Sequence, residues 1–359
     1  MVSLGLCALA AACAEAPAAF DLGAGAERGQ DRSVERSADA GRADASLPSL
    51  PSFLAGVNLA GAEFGQGKYP GVYGKDYIYP THAEVDYFVA KGLRLLRLPF
   101  AWERLQQTLG GPLDAVELQR LDDFVAYATG KGATVVLDPH NYARYGGQVI
   151  GAGVELGALA DLWRRLAERY AGNARVVYGL MNEPHDLPTE TWRDAAQAAV
   201  KAIRATGSTN LILVPGNAWS GAFNWTASYY GTPNGIAMNE LTDPGGNLAF
   251  EVHQYLDGDS SGTSDTCVSA SIGSSRLTAF TNWARAHGRR GFLGEFAGGR
   301  NATCYAALEE MLTFIDANRD VWIGWAWWAA GPWWGSYFFS LEPNGGQDQP
   351  PLAILQRHL

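Results

Sequence analysis

Residues 176–184 read Val-Val-Tyr-Gly-Leu-Met-Asn-Glu-Pro, a short apolar run that stops at an amide, a carboxylate and a proline. The same pattern recurs along the chain. Apolar runs at 55–59, 93–99, 134–139, 176–182, 210–215, 248–254, 291–295 and 321–327 have the length and composition of buried strands. Between most of them lie stretches with apolar residues three and four apart, at 83–91, 117–131, 156–170, 189–205, 275–287 and 305–318, as amphipathic helices require. Buried strands alternating with helices pair in parallel, and eight of them close most naturally into an α/β (β/α)8 TIM barrel. An open doubly wound sheet would carry a glycine-rich phosphate turn after its first strand. Asn58-Leu59-Ala60-Gly61 is not one.

A barrel of this kind places its chemistry at the C-terminal ends of the strands. Polar side chains collect there: Arg97 before Pro99-Phe100, Asp138-Pro139-His140-Asn141-Tyr142, Asn182-Glu183-Pro184, Glu251-Val252-His253-Gln254-Tyr255, Gly294-Glu295-Phe296 and Trp327-Trp328. Packing alone does not explain why apolar strands should end repeatedly in Arg, His, Glu and Trp.

Composition limits the partner. The 359 residues carry 27 basic and 37 acidic side chains, a formal charge of −10, which argues against nucleic acid, whose phosphates need a basic surface. With charged residues at only 18% but 12 Trp and 15 Tyr, the chain suits a partner that is polar and uncharged. Residues 1–20 read as a leader. Their apolar run of roughly 14 residues fits a secretory signal better than a membrane span. Ala10-Ala11-Ala12-Cys13 also resembles a lipoprotein cleavage box, which would put a lipid anchor on Cys13. Residues 21–52, rich in Ala, Gly, Ser, Asp and Arg, read as a disordered linker. Residues 53–359 then read as one folded domain, expected to be secreted and monomeric. Its only cysteines, Cys267 and Cys304, are either a disulfide, as export favours, or two buried thiols.

With these strand ends in order, the chain resembles glycoside hydrolase family 5, the cellulase-type retaining β-glycanases, over about 53–359. It is most similar to the endoglucanase II-like subfamily. Gly56-Val57-Asn58-Leu59-Ala60-Gly61 and His140-Asn141-Tyr142-Ala143-Arg144-Tyr145 carry the subfamily likeness. The resemblance implies a secreted endo-β-1,4-glucanase acting on cellulose and related β-glucans, with Glu183 as acid/base and Glu295 as nucleophile. It implies substrate-binding or supporting roles for Arg97, His140, Asn182, His253, Tyr255 and Trp328, and a bridge between Cys267 and Cys304.

Physical chemistry makes these roles intelligible. Retaining hydrolysis needs two carboxyl groups about 5–5.5 Å apart, one donating a proton and one attacking the anomeric carbon. Arg97 and the Tyr255 hydroxyl can hold Glu295, Asn182 suits a sugar 2-hydroxyl, His253 can bond Glu183, and His140 can reach a sugar hydroxyl. Strand parity puts Gly324, Ala326 and Trp328 on one face, so the indole of Trp328 emerges at the barrel mouth as a platform for a pyranose. Trp219, Trp225, Trp333 and Trp334 are expected to extend the cleft, and His82, His185, His287 and His358 to be exposed or capping. Asp257-Gly258-Asp259-Ser260-Ser261-Gly262 begins like a calcium loop, but its twelfth position is Val268, so no metal is expected, and no cofactor. A mannanase, lichenase or xyloglucanase on the same scaffold, or a non-catalytic glycan-binding surface protein, are the competing readings.

Overall fold

The computed structural model describes Leu50 and residues 52–359; the leader and nearly all of the linker expected from the sequence lie outside the described residues. Eight parallel strands close into a barrel: β1 (Leu54–Leu59), β2 (Leu95–Phe100), β3 (Thr134–Pro139), β4 (Val176–Gly179), β5 (Ile212–Pro215), β6 (Leu248–His253), β7 (Gly291–Phe296) and β8 (Trp322–Ala330). Each pairs with its sequence neighbours, and β8 returns to β1 with Gly324 beside Leu54 and Ala326 beside Gly56. The eight strands expected from the sequence are these, with ends shifted by a few residues.

The helices are α1 (His82–Ala90), α2 (Ala115–Gly130), α3 (Gly157–Tyr170), α4 (Thr189–Ala205), α5 (Ile272–Ala286), α6 (Ala302–Ala317) and the C-terminal α7 (Pro350–Leu355). Their starts are written in the sequence. Asp114 accepts from the backbone N–H groups of Val116 and Glu117, Asn301 accepts from that of Cys304, and Thr81 with Glu84 forms a capping box. Between β5 and β6 no long helix forms. That connection holds the short helical turns Ala218–Ser220, Asn234–Ala237 and Met238–Glu240 and a long loop that borders the barrel mouth.

Two apolar layers hold the barrel. Leu54, Leu95, Val136, Val177, Leu213, Ala249, Phe292 and Ala326 fill its interior, while the opposite faces of the strands pack on the helices through residues such as Leu96, Val135, Trp325 and Trp327. Trp322, Trp325 and Trp327 are buried, as large side chains facing the helical layer should be. Leu50, inside the stretch read as linker, packs against the interior cluster. Stepping two residues along a strand from that layer reaches the polar mouth: Leu95 to Arg97, Val136 to Asp138, Ala249 to Glu251 and His253.

β7 breaks this rule. Phe292 faces the interior, so simple alternation would turn Glu295 outward. The register of β7 against β6 slips between Val252 opposite Leu293 and His253 opposite Glu295, and against β8 between Trp325 opposite Leu293 and Trp327 opposite Phe296. Such an irregularity re-aims a side chain, and it turns Glu295 into the mouth. Gly294 makes room: a Cβ there would lie 2.3 Å from Glu251 Oε1.

Cys267 and Cys304 are joined in a disulfide, which settles the open alternative of two thiols. It ties the loop after β6 to the first turn of α6. Two expectations are corrected. Trp225 is fully buried among Phe250, Phe280 and Trp283, a core residue rather than part of a cleft. His358 is buried rather than exposed, with Asp316 2.6 Å from Nδ1 and Glu309 3.3 Å from Nε2.

Candidate active site

At the centre of the mouth Arg97 has no exposed surface. Its guanidinium reaches Asp138 at 3.1 Å, Glu251 at 3.0 Å and Glu295 at 3.1 Å, and donates to Asn58 and Asn182 at 2.8 Å each. Burial alone would ease the proton off, but Asp138, Glu251 and Glu295 outweigh it, and Arg97 is held charged. Asn58 sits opposite Arg97 in the β1–β2 register and hands its amide to the carbonyls of Gly294 and Trp327, linking the first strand to the last two.

Glu295 Oε1 takes the Arg97 bond, and Oε2 accepts from the Tyr255 hydroxyl at 2.7 Å. Its carboxyl is pushed above the usual range, first by burial and then by the charge of Glu183, while His253, Arg97 and His140 pull it back. Arg97 therefore does not by itself decide the ionisation of Glu295. Glu183 lies just after β4 with a backbone φ of 40°, in the left-handed region that a non-glycine residue enters at a cost of about 1–3 kcal/mol. Its Oε1 is 2.7 Å from His253 Nδ1. An oxygen of Glu183, an oxygen of Glu295 and a nitrogen of His253 all lie within 4.8 Å of one another.

His253 is also 3.2 Å from Glu251 through Nε2. Burial disfavours its charge, but Glu295, Glu183 and Glu251 together push its pKa up to about 10. It is therefore an imidazolium, donating from both nitrogens. The trio has ligand types that can bind a cation, and in this structure both ring nitrogens of His253 are taken up by carboxylates, Nδ1 by Glu183 and Nε2 by Glu251.

His140 Nδ1 bonds Asp138 Oδ2 at 2.8 Å, and its ring lies nearly parallel to Trp328 at 5.4 Å between centroids. Trp328 is half-buried and meets Trp334 edge-on. Asn182 gives its oxygen to Arg97, and its buried Nδ2 has no partner among the described residues. All eight site residues expected from the sequence thus meet at one mouth, in contact through the Arg97 network or along its rim.

Two of the cavities at the mouth bear on these residues, and Tyr142 borders both. One, of about 460 Å³, is lined by Glu183, Tyr255, Trp219, Phe223, Tyr229 and Ser260. The other, of about 290 Å³, is lined by Glu63, His140, Trp328 and Trp334 among others. Trp219 is exposed, lines the first of these cavities and stacks on His185, which is half-buried and paired with Asp186 rather than exposed.

Asp138, Glu251 and Asn58 join the site although the sequence reading gave them no role. Asp138 and Glu251 each stand two residues before a histidine that was singled out. Strand parity was the signal that could have found them. The same parity turns Asn58 inward, four residues after Leu54, but its bridging of strands distant in sequence shows only in the fold.

A (β/α)8 barrel that presents two adjacent carboxyl groups in an open, aromatic-lined cleft has the makeup of a glycoside hydrolase. The family profile described as Cellulase (glycosyl hydrolase family 5) matches residues 57–331, and the chain belongs to that family. It is 44% identical to endo-β-1,4-glucanase A of Emericella nidulans over 83% of this chain and 90% of the relative. Among solved structures it is similar to XacCel5A in complex with cellopentaose, at 49% identity and a TM-score of 0.84, covering 85% of this chain and 99% of that one. It is also similar to Cel5A (EG2) of Hypocrea jecorina, at 32% identity and a TM-score of 0.77, covering 84% and 97%.

Proposed function

We propose that the chain is a retaining endo-β-1,4-glucanase that cleaves internal bonds of cellulose and related β-glucans by double displacement. The observation that carries the mechanism is the approach of one oxygen of Glu183 and one of Glu295 to within 4.8 Å, too close to hold both a sugar and a separate attacking water between them and in keeping with retention. The relatives named as endoglucanases, and the cellopentaose in one of the structural neighbours, support the substrate.

In this reading Glu183 gives its proton to the leaving oxygen while Glu295 Oε2 attacks the anomeric carbon, forming a glycosyl-enzyme. Glu183 then takes a proton from water, which attacks the same carbon and releases Glu295. Tyr255 and Arg97 hold the two oxygens of Glu295, so the nucleophile arrives oriented rather than rotating. His253 donates to Glu183, and Asn182 Nδ2 is available to a sugar hydroxyl. Trp328 offers an aromatic plane to the sugar beside the reacting bond.

Extracellular action is supported by the disulfide and by the apolar leader. Mass spectrometry of the mature N-terminus distinguishes cleavage of the leader from lipid attachment at Cys13.

The test is hydrolysis of defined cello-oligosaccharides with the anomeric product followed by NMR. The β-anomer should form first, and release of the α-anomer would defeat the retaining mechanism. Parallel release of reducing ends from carboxymethylcellulose, barley glucan and mannan separates the glucanase from the mannanase and lichenase readings. Glu295→Ala should abolish turnover while cellopentaose still binds, which also separates an enzyme from a glycan-binding protein.

A further inference from the structure

We propose that Glu63 is a further substrate-recognition residue, its carboxylate accepting hydrogen bonds from hydroxyls of the glucosyl unit that lies beside Trp328. The inference rests on the glucanase reading and extends it to a residue that the double displacement does not use.

Glu63 follows β1, next to Ala62, which pairs with Phe100 at the top of β2. Its residue is 5% exposed. One oxygen, Oε2, accepts from the Gly61 backbone N–H at 2.7 Å, the residue's own backbone N–H also bears on the carboxylate, and among the described residues no side chain donates to it. No cation lies within ion-pair reach of it there. Glu63 lines the 290 Å³ cavity together with His140, Tyr142, Trp328 and Trp334.

A carboxylate kept from water with only backbone donors is costly unless something else satisfies it. Holding the Gly61 turn accounts for one oxygen and leaves the other without an explanation. The cavity supplies one. A pyranose stacked on an indole directs its hydroxyls outward around its rim, and a carboxylate at the edge of that plane meets them as a charge-assisted acceptor.

The ionisable groups facing Glu63 are His140, Asp138 and Tyr142. Burial pushes the Glu63 carboxyl up to about 7, His140 draws it down, and Asp138 adds to the rise. Sugar hydroxyls donate to the ionised form. Binding should therefore tighten as pH rises through about 7, and KM should fall over that interval.

The experiment compares wild type, Glu63→Gln and Glu63→Ala on cellopentaose, with thermal midpoints measured alongside. Glu63→Gln keeps an oxygen for the Gly61 N–H, so its midpoint should stay within about 2 °C of wild type. KM should rise about tenfold, the worth of one hydrogen bond to a charged group, with kcat little changed. The fall of KM with pH near neutrality should vanish in Glu63→Gln. An unchanged KM in both variants, or a lowered midpoint with a matching loss of kcat, overturns the inference. Wild-type turnover with an unaffected Glu63→Gln defeats this inference alone, whereas an inert wild type defeats the glucanase reading as well.

Discussion

His253 Nδ1 lies 2.7 Å from Glu183 Oε1 and 3.6 Å from Glu295 Oε2, so one imidazolium stands against both carboxyl groups of the pair. Its other nitrogen faces Glu251, which also binds Arg97. Two cations, Arg97 and His253, thus hold four carboxyl groups, Asp138, Glu183, Glu251 and Glu295, in one mouth. Like charges at this spacing repel, and the cations allow the cluster to exist.

The role of His253 in stability has a defined pH window. Its folded pKa of about 10 lies above the ordinary value of 6.5, so its contribution is complete below about pH 6.5 and is lost as pH rises through about 10. The difference in unfolding free energy between wild type and His253→Gln should therefore shrink from about pH 6 to about pH 9.5. Urea unfolding at several pH values measures it. A difference that stays constant would mean His253 is not charged in the fold.

Removing Arg97 leaves Asp138, Glu251 and Glu295 facing one another without a cation. Arg97→Met should cost about 3–5 kcal/mol in urea unfolding at neutral pH and remove activity. The loss should be smaller at acid pH, because Glu295, whose carboxyl is already pushed above the usual range, then needs no cation beside it. Equal costs at both pH values would show that Arg97 acts through packing rather than charge.

Trp225 and Trp219 stand six residues apart in the loop after β5 and should respond oppositely. Trp225→Ala empties a core position and should destabilise the fold by about 3–5 kcal/mol. Trp219→Ala should leave the unfolding free energy within about 0.5 kcal/mol, because the residue is 42% exposed, while raising KM for cellopentaose. Unfolding curves and steady-state kinetics on the two variants separate these outcomes.

The Cys267–Cys304 bond closes a loop with a sequence separation of 37. Replacing both with Ser should cost about 3–4 kcal/mol through the entropy of the unfolded chain. Denaturant unfolding without reductant reads it directly. Asp259, Ser260 and Ser261, in the loop that the bond anchors, line the cavity beside Glu183. Cellopentaose turnover should therefore fall more than turnover of an aryl cellobioside, whose leaving group needs no sugar contact on that side.

The barrel was legible from the chain because each strand is a short apolar run closed by proline or polar residues, and each long helix shows its own periodicity. Arg97, Asp138 and Glu251 follow from parity once the interior layer is known. Trp225 was misread because an aromatic residue in a loop carries no mark of burial. Only its packing against Phe280 and Trp283, from an element far along the chain, decides the matter.

What the sequence by itself determined is which residues end each strand, and hence which chemical groups reach the mouth of the barrel. What only the tertiary structure decided is which way Glu295 points. Alternation from Phe292 turns it away from the mouth, and the slip of register between β6 and β7 turns it in. That slip depends on the absence of a side chain at Gly294, where Glu251 from the neighbouring strand fills the space. No local pattern contains that information, because it arises only when two strands about forty residues apart are laid side by side.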